Sequence, residues 1–350
     1  MSAALPTEIG SLLKNIRFMA GASSVILNVL PDTIECLGAF DQVILPIINN
    51  HVRDANTRRW LEESLRSYSA VACWVVREYT RMADLAFVAD LAVLGACFNR
   101  LYDDLFDEFE YDDALGPRLR ELFRLGPFRP VNDVEVVLHE LFENIRQLLN
   151  RAPDDPIFNA AAAVHEYQLR SSYQCCLTCH FETLADITRG KGGHAVVAMF
   201  ALMRPSMSVE ESNLLLRLGE LIQMLDDYQD EELDAENGIH TLATEGQLGL
   251  SDIGNLLHAF YPDFCRYYGR RRVRRFWAFL YIIIALSFLC TRWPRFRVSR
   301  YPRTKGILWT LKILLAPDSG RLPSAAHVGK AHPRVASPND TPHELDSGQY

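Results

Sequence analysis

Residues 223–234 read QMLDDYQDEELD and follow directly on the apolar run LLLRLGELI. At 3.6 residues per helical turn, the acids at positions 226, 227, 230, 231 and 234 share one face, so the spacing predicts a helix with a stripe of carboxylates. Neighbouring carboxylates repel one another, and something positive should compensate them. A solvated face compensated by water and salt is one interpretation. If the chain carries a second acidic stripe, a helix that lines a binding site becomes the better interpretation.

A second stripe is present at 101–110, where the sequence reads LYDDLFDEFE. Asp103, Asp104 and Asp107 follow the apolar run MADLAFVADLAVLGACF with the spacing i, i+1, i+4. Their apolar neighbours favour a helix that lines a cavity, where each uncompensated carboxylate would cost several kcal/mol. Two cavity-lining helices that carry such carboxylates therefore imply bound cations. Mg²⁺ fits, because it prefers one or two carboxylates together with the phosphate oxygens of a substrate.

Helical periodicity dominates the rest of the chain and strand signals are scarce. We therefore predict an all-α protein, a single large helical bundle with a central cavity. Asn132 and Ser208 have the residue types and positions of helix N-caps. The predicted helices span 8–29, 32–50, 55–80, 82–110, 133–150, 157–188, 193–203, 208–235, 251–268 and 273–290.

Composition limits the class of protein. The chain has 350 residues, of which 49% are hydrophobic and 23% charged, as in ordinary globular proteins. Its net charge of −8 argues against nucleic acid as the main partner. The eight cysteines lie mostly in apolar stretches and no secretory signal precedes them, which favours a cytoplasmic protein with reduced thiols.

The chain is expected to divide into a catalytic helical domain, 1–312, and a tail, 313–350. The tail loses the apolar periodicity and is rich in Pro, Ser, Gly and Asp, a composition typical of disorder. The oligomeric state stays open, with a homodimer as one possibility.

The stretch ITRGKGGHAV at 187–196 contains three glycines, two of them adjacent. Glycines that interrupt a helix free backbone N–H groups for a phosphate at the start of the next helix. Arg189 and Lys191 would add positive charge. Taken alone, the stretch is better explained as a helix C-cap and turn that joins two helices. Between two aspartate clusters, we expect Arg189 and Lys191 to bind a diphosphate.

A basic and apolar segment follows near the C-terminal end of the bundle. FWAFLYIIIALSFLC at 276–290 is apolar but shorter than the ~20 residues needed to cross a bilayer. It follows RRRVRR at 270–275 and precedes further arginines up to residue 300. An interfacial helix that makes peripheral contact with anionic lipid through 270–300, or a buried helix of the bundle, would both explain it.

The motifs DDLFD and DDYQD in an all-α chain resemble those of the class I isoprenoid (terpenoid) synthases. The greatest similarity is to bacterial large-terpene synthases of the tetraprenyl-β-curcumene synthase kind, whose second motif is similar to LIQMLDDYQDEELD. The resemblance covers roughly residues 25–245 and is most specific at the two acidic motifs and at RGKGGHAVVAMFALM.

This resemblance implies a prenyl diphosphate substrate held through about three Mg²⁺ ions. Asp103 and Asp227 would be the catalytic residues, and Arg189 and Lys191 would bind the substrate diphosphate. The implied metal ligands are Asp103, Asp104, Asp107, Asp226, Asp227, Asp230 and Asp234.

Ionisation of such a substrate leaves an allylic carbocation, and the reaction depends on what captures it. Cyclisation is favoured, because residues 1–60 lack the basic segment expected for a second diphosphate. A prenyltransferase, either chain-elongating or of the head-to-head squalene/phytoene type, is the first alternative. A non-catalytic helical protein, membrane-associated through 270–300, is the alternative from another class. The aromatic candidates for stabilising a cation are Phe98, Tyr102, Tyr167, Tyr173, Phe200 and Tyr228.

Overall fold

The computed structural model describes residues 4–107, 114–175 and 180–292 of the chain. These residues form helices joined by turns, and none of them lies in a β-strand, which confirms the all-α prediction. The predicted domain boundary at 312 and the tail 313–350 lie outside the described residues. The helices are α1 (Ala4–Asn15), α2 (Ala22–Ala39), α3 (Leu45–His51), α4 (Ala55–Ala83), α5 (Ala89–Asp107), α6 (Leu115–Phe123), α7 (Asp133–Leu149), α8 (Pro156–Arg170), α9 (Phe181–Ala201), α10 (Val209–Glu236), α11 (Leu250–Tyr268) and α12 (Arg270–Arg292).

Side-chain caps fix where two of the central helices begin. The Asn132 side chain accepts a hydrogen bond from the Glu135 backbone N–H at 2.8 Å, at the start of α7. Ser208 does the same for Glu211 at 3.1 Å, at the start of α10. Each cap satisfies one of the backbone donors that a helix N-terminus leaves without an intrahelical partner. Both caps predicted from the sequence are confirmed.

The glycine-rich stretch does not interrupt a helix, contrary to the expectation from its sequence. Helix α9 runs without a break through residues 190–193. A Cβ atom on Gly192 would lie 2.4 Å from the Gly219 carbonyl oxygen of α10, and one on Gly219 would lie 2.2 Å from the Gly192 oxygen. The glycines therefore permit α9 and α10 to cross with their backbones in contact, a use that sequence alone does not distinguish from a turn.

Several other boundaries differ from the prediction. No break separates 8–29 from 32–50, because α2 (Ala22–Ala39) continues through Pro31, and the predicted helix 8–29 is instead interrupted by a 3₁₀ helix at Ile16–Gly21. The segment 157–188, predicted as one helix, is divided into α8 and α9, with a 3₁₀ turn at Ser171–Cys175 between them. Helix α6 was not predicted, because Gly116 and Pro117 are helix breakers and the helix is short. It forms because Leu115, Leu119 and Leu122 bury their side chains in the core. Tertiary packing overrides local propensity at this position.

The apolar segment 276–290 belongs to the core. Its first residues, Phe276 and Trp277, are fully buried, and the Trp277 indole N–H donates to the Leu257 carbonyl oxygen of α11 at 2.8 Å. Of the two interpretations left open for this segment, the buried helix is correct. In the described part of the chain, no helix is both long and apolar enough to cross a bilayer.

Four helices position the acidic motifs. The first motif ends α5 and the second occupies the C-terminal half of α10. Helix α9 packs along α10 and also contacts α4 and α5, and α4 packs along α5. Helix α9 therefore connects the two helices that carry the acidic motifs.

Candidate active site

The two consecutive aspartates of the first motif point to different surroundings, because neighbouring residues on a helix lie ~100° apart. The Asp104 side chain is buried, 2.5 Å from Arg100 Nη2, and its second oxygen accepts from Ser64 Oγ at 3.4 Å. Asp103 is partly exposed and lies 3.2 Å from Lys191 Nζ. Asp107 is the last residue of α5, and its side chain lies outside the described residues. Asp103 is thus the more exposed carboxylate of the described pair.

The second motif is not a solvated acidic face. Asp227, Asp230 and Asp234 are each less than a tenth exposed, whereas Asp226 is exposed. The three buried residues lie at i, i+3 and i+7 on α10, on the side turned toward the protein interior. The stripe that QMLDDYQDEELD predicts is therefore mostly inside the protein. Burial of several carboxylates requires positive charge or hydrogen-bond donors nearby.

Asp227 receives its hydrogen bonds from neutral groups. Gln223 Nε2 donates to one carboxylate oxygen at 3.0 Å, and Thr188 Oγ1 of α9 donates to the other at 3.2 Å. Burial raises the pKa of Asp227 to about 7, the Gln223 hydrogen bond opposes this rise, and the charges of Asp226 and Asp234 add to it. This carboxyl is consequently half protonated near neutral pH, and a nearby cation would ionise it fully.

Lys191 connects the two motifs. Its ammonium lies 3.2 Å from Asp103 Oδ1, and its charge also lowers the pKa of Asp227. One helix, α9, thus places a cation between a carboxylate of α5 and carboxylates of α10. The structure brings together three of the predicted site residues, Asp103, Lys191 and Asp227.

Tyr68 of α4 also lies between the motifs, and sequence reasoning missed it. Its hydroxyl accepts a hydrogen bond from Asn99 Nδ2 at 2.9 Å. Burial raises the Tyr68 pKa to about 12, and the charges of Asp103 and Asp226 contribute to the rise. The influence of both acids places Tyr68 close to both motifs. Asn99 could have been found, since it precedes Asp103 by one helical turn, but nothing in the sequence around Tyr68 marks it.

Arg189 is not brought to this cluster. Two residues on a helix separated by one other residue point to nearly opposite sides. The Arg189 side chain is 60% exposed and lies 3.5 Å from Glu220 of α10. Of the two predicted diphosphate-binding residues, the structure places only Lys191 between the acidic motifs.

The donor set suits a hard divalent ion in part. Asp103 of α5 and Asp227 of α10 offer carboxylate oxygens near Lys191, and the exposed Asp226, whose charge acts on Asp227, adds another. Carboxylates together with substrate phosphate oxygens are the ligands that Mg²⁺ prefers. Asp104 does not fit, because Arg100 already neutralises it. Among the side chains that the structure describes, no group of three His, Cys, Asp or Glu is arranged to hold a metal ion by itself. Ligation would therefore depend on substrate oxygens.

The predicted aromatic residues mostly pack in the core. Phe200 stacks on Tyr79 with ring centroids 3.9 Å apart, and the Tyr228 hydroxyl donates to Glu8 at 3.2 Å. Tyr173 is 58% exposed. Two cavities of about 270 and 430 Å³ are present in the described structure, and no residue of either acidic motif lines them.

No protein-family model, curated protein or solved structure matches this chain. Function must accordingly be inferred from the residues of the site and their geometry.

Proposed function

We propose that this protein is a Mg²⁺-dependent class I terpene synthase that ionises a linear prenyl diphosphate, releases pyrophosphate and cyclises the resulting carbocation. The position of Lys191 supports this function most directly. Its ammonium lies 3.2 Å from Asp103, and its charge lowers the pKa of Asp227, a residue from the opposite half of the chain. A site in which carboxylates surround a cation is suited to a ligand that is itself anionic and carries metal ions.

The residues of the cluster would have different roles in binding the substrate diphosphate and Mg²⁺. Lys191 would contact the diphosphate oxygens and so exchange its contact with Asp103 for one with the substrate. Tyr68, whose pKa is raised to about 12, keeps its proton and can donate a hydrogen bond to the same group. Asp103, Asp226 and Asp227 would hold Mg²⁺. Bound Mg²⁺ neutralises the diphosphate and stabilises the charge that forms on the departing pyrophosphate.

Ionisation breaks the bond between carbon 1 of the prenyl chain and the diphosphate oxygen, and both bonding electrons leave with pyrophosphate. The allylic cation that remains is captured by a double bond of its own chain. Transfer of a proton from the cyclised cation to the released pyrophosphate then completes a cyclic hydrocarbon. The burial of Asp227 explains why an acidic surface without binding function is the weaker interpretation, since a solvated face would leave it exposed.

Incubation of the full-length protein with Mg²⁺ and prenyl diphosphates of ten to thirty-five carbons, singly and in pairs, tests this function. Mass analysis of the extracts should show a cyclic hydrocarbon from a single substrate, with release of pyrophosphate. Products formed only from paired substrates would identify a prenyltransferase instead. Absence of pyrophosphate release from every substrate would exclude both enzymes and leave the non-catalytic helical protein.

Matched variants link any turnover to the site. Asp103→Ala and Asp227→Ala should each abolish turnover while the circular dichroism spectrum stays that of a helical protein. Glu232→Ala is the control, because Glu232 is exposed on α10 away from the buried stripe. Equal activity of all three variants would mean that catalysis occurs elsewhere.

A further inference from the structure

The N-terminal part of the protein exposes an apolar stripe. On α2, the exposed fractions are 60% for Ile26, 77% for Leu27, 52% for Leu30 and 62% for Ile34. These residues lie within about a third of the helix circumference, so they form one continuous face. Leu13 and Ile16, in the segment before α2, are more than half exposed as well. Contiguous exposed apolar surface of this kind marks an interaction site.

The exposed charges around this stripe are mostly positive, and the exposed acid next to it, Glu35, is paired with Arg77 of α4. From residue 7 to residue 34 the only acids are Glu8 and Asp32, and both are buried. Asp32 is neutralised by Arg77 and Arg81 of α4. The basic residues of the segment, Lys14 and Arg17, are exposed. The surface is therefore apolar and cationic, although the whole chain has a net charge of −8.

The N-terminus of α12 extends the cationic region. Arg274 donates to the Ala20 carbonyl oxygen at 2.7 Å, which places the 270–275 arginines beside the start of α2. Arg270, Arg271 and Arg272 are exposed. A cavity of about 270 Å³ at this position is lined by Arg81, Arg271, Arg272 and Arg275 together with Glu78 and Met82. Glu78 is already paired with Arg81 and Arg275, and the exposed Asp84 is paired with Arg272.

We infer that this N-terminal surface, comprising the exposed residues of 13–34 and the arginines of 270–274, docks the protein on a bilayer that contains anionic phospholipid. An apolar face enters the boundary between headgroups and acyl chains, while surrounding Lys and Arg side chains attract anionic headgroups. Charge complementarity selects this partner. The apolar residues of 276–290 take no part, because they are buried in the core. Docking is independent of the proposed catalytic activity.

Co-sedimentation of the full-length protein with vesicles tests this surface. Vesicles of phosphatidylcholine with a quarter of the lipid replaced by phosphatidylserine should retain the protein, and pure phosphatidylcholine should not. Arg271→Glu should lower the partition coefficient about fivefold or more, the effect of one basic residue near an anionic surface. Leu27→Ser combined with Leu30→Ser should lower it at least tenfold, since two exposed leucines lose their burial in lipid.

Matched controls lie elsewhere on the surface. Leu148→Ser changes a 54% exposed leucine of α7, and Arg59→Glu changes an exposed arginine near the start of α4. Both should retain wild-type partition. Equal binding to the two vesicle types, or equal losses in the control variants, would overturn the assignment.

The docking inference would also be overturned if another part of the protein, or a second copy of the chain, covers the apolar stripe. If a second copy of the chain covers it, sedimentation velocity will show a dimer that the Leu27→Ser, Leu30→Ser variant dissociates, and vesicles will not bind. If residues 293–350 cover it, the same variant will lower the thermal midpoint of the full-length protein without any vesicle binding. The docking surface instead requires an unchanged thermal midpoint, because the stripe faces solvent in the absence of lipid.

Discussion

Asp104 and Asp227 are both buried carboxylates, but their neighbours differ in charge. Asp104 lies 2.5 Å from the Arg100 guanidinium, so its negative charge has a partner. Asp227 has two neutral donors, with Lys191 as a more distant cation. A buried carboxylate without a direct cationic partner favours the neutral form. Asp104 is therefore suited to a structural role, and Asp227 is suited to binding a cation that arrives with a ligand.

The raised pKa of Asp227 makes a prediction about stability and pH. Its folded-state pKa is about 7, against an ordinary value of 3.8, so between these values the native protein binds more protons than the unfolded chain. Stability therefore falls as pH rises through this window. Asp227→Asn should remove this loss and exceed wild type by a few kcal/mol in the free energy of unfolding at pH 8, with a much smaller difference at pH 5. Urea denaturation at the two pH values measures it.

Asp104→Asn provides the contrast for that measurement. It leaves the Arg100 guanidinium buried with a neutral neighbour, and breaking a buried ion pair costs about 3–5 kcal/mol. We expect it to be less stable than wild type at both pH values. If Asp227→Asn were equally destabilising at pH 8, the Asp227 carboxylate would be a structural group rather than a ligand site.

Lys191 and Arg189 form a matched pair for diphosphate binding, because they lie two residues apart on α9 and point in different directions. Lys191→Met should weaken the affinity for Mg²⁺-pyrophosphate by one to two decades, the value of ~1.5–3 kcal/mol for a charge-assisted hydrogen bond. Arg189→Met should leave it unchanged, because Arg189 is exposed beside Glu220. Titration calorimetry measures both. The opposite ranking would mean that the diphosphate binds on the Arg189 side of α9.

At the scale of elements, the crossing of α9 and α10 determines where Lys191 and Asp227 meet. Gly192 and Gly219 are in backbone contact there. Thr188 and Lys191 of α9 reach the second motif because the two helices approach so closely. The glycines were expected to interrupt a helix and so bind phosphate. They instead allow two helices to pack closely, which aligns the side chains of the site.

Gly219→Ala tests this packing. The added methyl group would lie 2.2 Å from the Gly192 carbonyl oxygen, and neither backbone can move without shifting a helix. We expect a loss of about 1–3 kcal/mol in stability, as for other overpacked cores. Gly38→Ala is the control: it lies inside α2 with no atom within 4 Å of the added methyl, and should gain ~0.5–1 kcal/mol from helix propensity. Thermal denaturation separates the two.

At the scale of the whole molecule, the site links α4, α5, α9 and α10, so a ligand that bridges the motifs should stabilise the entire fold. Mg²⁺ with pyrophosphate at a hundredfold excess over Kd contributes about 2.7 kcal/mol, which raises the thermal midpoint by a few degrees for a domain of this size. Neither Mg²⁺ nor pyrophosphate alone should do so, because each leaves one set of charges uncompensated. Differential scanning fluorimetry measures the shift.

Asp227→Asn serves as the control for this shift and should lose most of it. A wild-type protein with no joint shift at saturating concentrations would contradict the metal and diphosphate site. The vesicle-docking surface would be unaffected by that result, because its residues lie between 13 and 34 and at the start of α12.

Local chemistry was sufficient to predict the all-α class, most of the helices and several of their ends from the sequence. The spacing of acids and apolar residues identifies α5 and α10, and Asn132 and Ser208 mark helix starts, because periodicity and capping involve residues within a few positions of one another. The two acidic motifs, and Lys191 as a cation for them, were also recognisable from residue type and spacing alone.

Only the tertiary structure decided which of these groups meet. The way in which distant helices cross decides that Asp103 meets Lys191, that Tyr68 lies close to both motifs and that Arg189 lies away from them. The Arg100–Asp104 pair, by contrast, is an i,i+4 contact within α5. The packing of distant helices likewise decides that 276–290 is core and that α2 exposes an apolar stripe. Periodicity shows that a helix has an apolar face, but burial of that face requires another element to cover it, and contacts between distant elements are not encoded in local spacing.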